Sequence, residues 1–153
     1  MPQFHAERTV AHTAALMFDV VADVDAYPEF VPYCETLTVR EKHFDGDRTI
    51  LTARMTVGYK FIRESFTTRV TLDPQEKRIS ATYVDGPFRH LDTEWRFIDQ
   101  EKGRSTVTFD IDYAFRSRTL GALMGTVFDR LFRSFADAFT SRANRIYGAV
   151  SLK

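Results

Sequence analysis

One cysteine, one tryptophan and four histidines are all that the 153 residues supply of those types. Cys34 alone closes no intramolecular disulfide and leaves too few thiols for a zinc ribbon or an iron–sulfur cluster, so a reducing compartment is expected. His5, His12, His43 and His90 are scattered, with no HxH or HExxH pair to set two imidazoles on one face. No metal site and no required cofactor follow. Gly46, Gly58 and Gly86 stand alone, without a phosphate-cradling or dinucleotide fingerprint around them. The longest wholly apolar run is Ala14–Phe18, far short of the roughly 20 residues a membrane span needs. MPQFHAERTV carries neither a basic stretch nor an apolar one behind it, so no secretory signal is expected. The expected location is cytoplasmic, with peripheral contact at the inner membrane face left open. Net charge is missing too: 21 Lys and Arg meet 21 Asp and Glu. That balance argues against a DNA partner, whose hold rests on phosphate neutralisation.

Phenylalanine is the residue in excess. Fourteen Phe, six Tyr and one Trp make 14% of the chain aromatic. Phe has no polar atom to satisfy, so a surplus means a large apolar interior, a lined cavity, or both. One domain, 1–153, is expected, long enough to bury about 68–70% of the unfolded surface without staples. The neutral total hides a gradient. Residues 1–35 hold six carboxylates against Arg8, a net of −5; residues 116–153 hold seven cations against Asp129 and Asp137, a net of +5.

The periodicity is legible along the chain. Gln3–Thr9 alternates weakly, as a strand. Thr13 is placed to cap a helix from Ala14, whose Leu16, Met17, Val20, Val21 and Val24 recur at helical spacing. Pro28 and Pro32 make 25–33 a compact helical corner. From about residue 35 the period falls to two: Leu51, Ala53, Met55, Val57 and Tyr59 share one face, as do Leu91, Thr93, Trp95 and Phe97, and Val107, Phe109, Ile111, Tyr113 and Phe115. Phe66, Val70 and Leu72 mark a strand of less certain facing. Asp45-Gly46, Asp73-Pro74 and Lys102-Gly103 stand where tight turns are needed. From Leu120 the steps return to three and four through Leu123, Met124, Val127, Phe128, Leu131, Phe132, Phe135, Phe139, Ala143 and Ile146, with Ser117 or Thr119 as the cap and Gly148 at the exit. The expected class is α+β. An antiparallel sheet of six or seven strands wraps one long C-terminal helix, with a helical insert after the first strand: a helix-grip arrangement, whose imperfect closure leaves an apolar cavity.

No catalytic constellation emerges. Cys34 has no histidine at a supporting spacing and reads as a small buried hydrophobe. Asp110 and Asp112 share the wet face of their strand. Gly121 and Gly125 are expected to let the long helix approach the sheet or to leave room for a ligand. Two dense segments remain, DAYPEFVPYC at 25–34 and DGPFRHL at 85–91, the latter followed by Trp95. From the residues alone each is a rigid corner packing its aromatics. As worded, YPEFVPYC and DGPFRHLDTEWRF resemble the coenzyme Q-binding branch of the START-like lipid-binding superfamily, which also contains the bacterial ribosome-association toxin and is related to polyketide cyclases. The likeness runs from Phe4 to Tyr147. Tyr27, Pro28, Phe30, Pro32, Cys34, Gly86, Pro87, Phe88, Leu91 and Trp95 match the pattern; Tyr33 stands where Trp is as frequent.

The resemblance implies a non-enzymatic binder of ubiquinone or a related polyisoprenoid lipid, supporting respiratory electron transport and ubiquinone biosynthesis. Such a ligand needs dry volume and a few donors. Burying one methylene yields about 0.8 kcal/mol, so ten tail carbons yield on the order of 8 kcal/mol before the costs of association. The expected wall is Leu51, Met55, Phe88, Leu91, Trp95, Phe97, Phe109, Tyr113, Leu123, Val127, Phe128 and Leu131, with Tyr59, Tyr113 or the Trp95 N–H as donors to a quinone oxygen. Tyr27, Phe30, Val31 and Tyr33 are expected at the cavity mouth, where their rings would dip into a bilayer while Arg130, Arg133, Arg142 and Arg145 meet anionic headgroups or RNA. Two alternatives stay open: a regulator of the large ribosomal subunit that blocks subunit association, and a cyclase or aromatase, which needs an acid–base pair inside the cavity.

Overall fold

The computed structural model describes residues 3–148. Seven strands form one sheet: β1 (Gln3–Val10), β2 (Cys34–Asp45), β3 (Arg48–Tyr59), β4 (Ile62–Asp73), β5 (Arg78–Asp85), β6 (Phe88–Asp99) and β7 (Ser105–Phe115). Their order is β1-β7-β6-β5-β4-β3-β2, and every neighbouring pair is antiparallel. Helix α1 (Ala14–Ala22), a 3-10 turn at Val24–Ala26 and the short α2 (Tyr27–Phe30) fill the passage from β1 to β2, and α3 (Arg118–Tyr147) ends the described chain. Register shifts at Cys34/Thr36 and Arg40/His43 in β2, and at Phe88/His90 between β6 and β7, bend the strands as bulges do. The sheet therefore curves round α3, the expected helix-grip arrangement.

The local chemistry accounts for each boundary. Thr13 Oγ1 accepts from the Leu16 amide at 3.3 Å, and Ser117 Oγ, not Thr119, caps α3 by accepting from Leu120 N at 3.2 Å. Gly148 ends α3 with φ 89°. Pro28 begins a helical turn, in the first positions of α2, where its missing N–H costs nothing. The Asp45-Gly46 and Lys102-Gly103 turns use positive φ at Gly46, Lys102 and Gly103.

On α3, Met124, Val127, Phe128, Leu131, Phe132, Phe135, Phe139 and Ala143 are buried, as the period requires. Leu123 corrects the expected stripe. It lies about 100° round the helix from Met124, outside the arc that faces the sheet, and is 60% exposed. Ile146 falls on the arc but in the last turn, past the core, and is 51% exposed. The GxxxG pair is no tight seam: a Cβ on Gly121 or Gly125 would meet the Phe115 ring at 3.6 and 4.0 Å, ordinary contact.

The Phe surplus packs mainly under β6 and β7. The Phe88 ring lies 5.0–5.8 Å from those of Phe66, Tyr83, Tyr113, Phe115 and Phe128, mostly edge to face. Trp95 packs on Phe109 at 4.4 Å and on Phe139 at 5.1 Å.

Candidate ligand cavity

DGPFRHL builds one rim of this core. Gly86 has φ 142°, and a Cβ there would lie 2.7 Å from the Phe66 Cβ, so the turn needs glycine. The Pro87 carbonyl accepts from Arg116 N at 2.9 Å, and the Phe88 amide donates to the Tyr83 hydroxyl at 3.0 Å. DAYPEFVPYC builds the opposite side. Tyr27 is 8% exposed and Val31 3%, with the Tyr27 ring 5.0 Å from Phe139 and 6.0 Å from Phe30. Tyr33 takes φ 68° and its carbonyl accepts from Gly58 N at 3.0 Å, which ties the corner to β3.

Between the corner, α3 and the middle of the sheet is a cavity of about 70 Å³. Ala53 and Met55 of β3, Phe66, Thr68 and Val70 of β4, and Ile79 and Ala81 of β5 line it. Leu91, Thr93 and Trp95 of β6, Phe132 and Phe135 of α3, and Val24, Tyr27 and Leu37 complete the wall. A water occupies about 30 Å³ of liquid, whereas pockets for drug-sized ligands run to roughly 300–1,000 Å³. The rings thus fill most of the interior that composition left open to a cavity.

Of the expected wall residues, Met55, Leu91 and Trp95 border the void, as does Tyr27 from the expected mouth. Leu51, Phe88, Phe97, Phe109, Tyr113, Val127, Phe128 and Leu131 are buried in the surrounding core. Phe30, Tyr33 and Tyr59 are half-buried at its edge, and Leu123 faces solvent. The wall shifts toward β4 and β5 because small and aliphatic side chains stand there, while the β6–β7 side is packed with rings. Thr68 was legible as the residue between Phe66 and Val70 on one face of β4; its polarity hid it.

The polar groups in the wall are neutral. The Tyr27 hydroxyl donates to the Val21 carbonyl, and burial, reinforced by Asp23 and Cys34, pushes its pKa well above the usual phenol range. Thr68 is 8% exposed, and its hydroxyl and that of Thr93 are neutral polar groups of the wall. Among those residues no carboxylate, imidazole, ammonium or guanidinium lines the cavity. Nearby, burial pushes the Cys34 thiol up to about 11 and the Tyr113 phenol up to about 12. Cys34 is thus a protonated thiol, donating to the Thr36 carbonyl at 3.7 Å, not a nucleophile. No group of three metal-ligating side chains occurs among the described residues.

At the mouth expected at 27–33, Tyr27 and Val31 are buried, while Phe30 and Tyr33 are half-buried. The cations assigned beside it are largely engaged. Arg133 pairs with Asp129 at 3.0 Å and lies over Phe4; Arg142 reaches Glu29 at 3.4 Å and covers Phe30. Arg130 lies 5.9 Å from the Tyr59 ring, and Arg145 borders a shallow groove with Glu29 and Pro32.

A curved antiparallel sheet gripping one long helix, with a dry void between them, defines the START-like class. Residues 10–140 match the model of the polyketide cyclase / dehydrase and lipid transport family, and the chain belongs to that family. It is 32% identical over 149 residues to the ribosome association toxin RatA of Escherichia coli, covering 97% of this chain and 91% of the toxin. It is 29% identical over 150 residues to the mitochondrial coenzyme Q-binding protein COQ10 homolog B of Xenopus laevis, covering 95% of this chain and 59% of that protein. The Zhui aromatase/cyclase of a Streptomyces species superposes with a TM-score of 0.80 at 21% identity, over 94% of each chain. That last likeness is one of fold. No helix among the described residues is long and apolar enough to cross a membrane.

Proposed function

We propose that this protein is a non-enzymatic binder of ubiquinone or a related polyisoprenoid lipid, acting as a carrier or chaperone that serves respiratory electron transport. The observation that carries the proposal is the wall itself: apolar and aromatic side chains with the hydroxyls of Thr68 and Thr93, and no charge. An uncharged quinone head wants donors for its oxygens and a tail wants dry surface; neither wants a counter-ion. The likeness to a coenzyme Q-binding protein is in keeping with this. A void of about 70 Å³ is too small for head and tail together. Loading therefore displaces helical parts of the wall, Phe132 and Phe135 with α3 or Val24 and Tyr27 with the corner, since these lie outside the hydrogen-bonded sheet. Cyclase chemistry is disfavoured by the same wall, because an acid–base pair has no member there.

Extraction of the purified protein followed by mass spectrometry tests this. A co-purifying quinone, or saturable uptake of added ubiquinone, is expected; an empty protein that also refuses ubiquinone overturns the reading. A second reading is favoured by one observation, the likeness, 32% identical over nearly the full length, to a ribosome association toxin. If it holds, the protein sediments with large ribosomal subunits and is released steeply by salt.

A further inference from the structure

The two ends of the sheet are closed by turns of opposite character. At one end lie the β2–β3, β4–β5 and β6–β7 turns, Asp45–Arg48, Asp73–Arg78 and Asp99–Arg104; none contains an aromatic or branched aliphatic residue, and together they hold six carboxylates and five cations. At the other end the β3–β4 turn reads Tyr59-Lys60-Phe61-Ile62, beside the β5–β6 connection and the start of α3. Phe61 is 99% exposed, Leu123 60% and Val84 52%. β4 pairs with β5 only from Thr67 onward, so Ile62–Phe66, held by β3 alone, carries the turn about 16 Å past the end of β5.

Turn chemistry does not explain this composition. Lys60 takes φ 56°, a conformation better suited to Gly or Asn, between two aromatic rings. Packing does not explain it either, since Phe61 is almost wholly in water. Around these apolar side chains, Lys60, Arg89, Arg116, Arg118 and Arg130 have no ion-pair partner among the described residues, against Glu64 and Asp85 with none; Arg63 is met by Glu35 at 2.6 Å. Cations that encircle exposed apolar groups complement a surface with phosphates outside and hydrocarbon beneath. An RNA partner would satisfy the cations and give Phe61 a base to stack on. It offers nothing to Val84 and Leu123, which have no π-face.

We propose that this end of the sheet is the face by which the protein docks on an anionic lipid bilayer, with Phe61 inserting between headgroups and the five cations meeting phosphates. The face stands independently of the ligand identity argued above. The polar end supplies an internal control: Phe44 there is 72% exposed, yet on a strand next to Asp45 and Asp47.

Co-sedimentation with phosphatidylcholine vesicles, with and without phosphatidylglycerol, tests it. The unaltered protein is expected to pellet with the anionic vesicles at low salt and not with the neutral ones. Phe61→Ser and Lys60→Glu lower the bound fraction about tenfold or more, as loss of a buried ring or reversal of a charge requires. Phe44→Ser leaves it unchanged. Because these side chains are exposed, all three variants keep the unaltered thermal unfolding midpoint. Absence of binding to anionic vesicles overturns the proposal, as does binding that Phe61→Ser does not weaken. Sedimentation with ribosomal subunits that Lys60→Glu abolishes, without vesicle binding, overturns it in favour of RNA. A protein that holds no quinone but binds vesicles through Phe61 removes the quinone reading and leaves the docking face standing.

Discussion

On the concave side of the sheet, α3 meets two kinds of surface. Against β6 and β7 it finds rings: Phe88, Trp95, Phe109 and Tyr113 interlock with Phe128, Phe132, Phe135 and Phe139 at centroid distances of 5.1–6.4 Å. Against β3, β4 and β5 it finds Ala53, Met55, Thr68, Val70, Ile79 and Ala81, with Phe66 the ring from these strands that borders the void. The first surface is closed except where Leu91, Thr93 and Trp95 of β6 border the void, and the second supplies most of the void's wall. Where rings meet rings, edge-to-face geometry fills space to interior density; where one long helix spans small side chains on a curved sheet, nothing reaches across. The dense half is thus a scaffold, and the sparse half is where a ligand has room to enter.

The contrast breaks first at Phe88. Phe88→Ala is expected to cost about 3–5 kcal/mol in denaturant unfolding, since five rings lose a common neighbour. A cost near 1 kcal/mol would show the scaffold half to be as loose as the other. Gly86→Ala, which forces a Cβ to within 2.7 Å of the Phe66 Cβ at φ 142°, is expected to cost about 1–3 kcal/mol by the same measurement. In the sparse half, Ala53→Leu grows into the void. Its stability should stay within about 1 kcal/mol of the original while uptake of added ubiquinone is lost; strong destabilisation would mean that no usable void exists there. Thr68→Val is the mildest change. Stability is expected to hold or rise slightly because an isosteric methyl replaces a hydroxyl in an apolar wall, and quinone affinity should fall by about 5–10-fold, the worth of one hydrogen bond.

Cys34, at the border of the corner and β2, supplies a pH test. Folding raises its pKa to about 11, so the native state holds the proton more tightly than the unfolded chain. Its linked contribution is full below the free thiol's titration range and is lost as pH rises through about 11. At pH 8 only about one molecule in a thousand is the thiolate, and alkylation should be slow until the protein is unfolded.

Much of this was legible in the sequence, and unevenly so. Thr13, Ser117 and Gly148 marked helix ends because capping is local: the side chain or the φ preference acts within three residues of itself. The dry faces of β3, β6 and β7 followed from period two. Met55, Leu91 and Trp95 were placed among the wall residues from facing and resemblance together, and Tyr27 at the mouth. Thr68 and Thr93 were not, since a polar residue on an inward face gives no periodic signal of its own. The motifs DGPFRH and YPEFVPYC marked corners whose hydrogen bonds hold the core; the match alone did not say which of their residues border the void.

Residue order by itself determined the kinds of element, their sequence and the face each turns inward, because all three depend on side chains a few positions apart. The family followed from the same order. Only the tertiary structure decided where the void lies and how small it is, that Leu123 turns outward, and that Phe61 stands in water with unpaired cations beside it. Those outcomes depend on how far the sheet curves and how rings from distant strands interlock. A cavity is the small difference between the volume enclosed and the volume filled, and no stretch of sequence carries both.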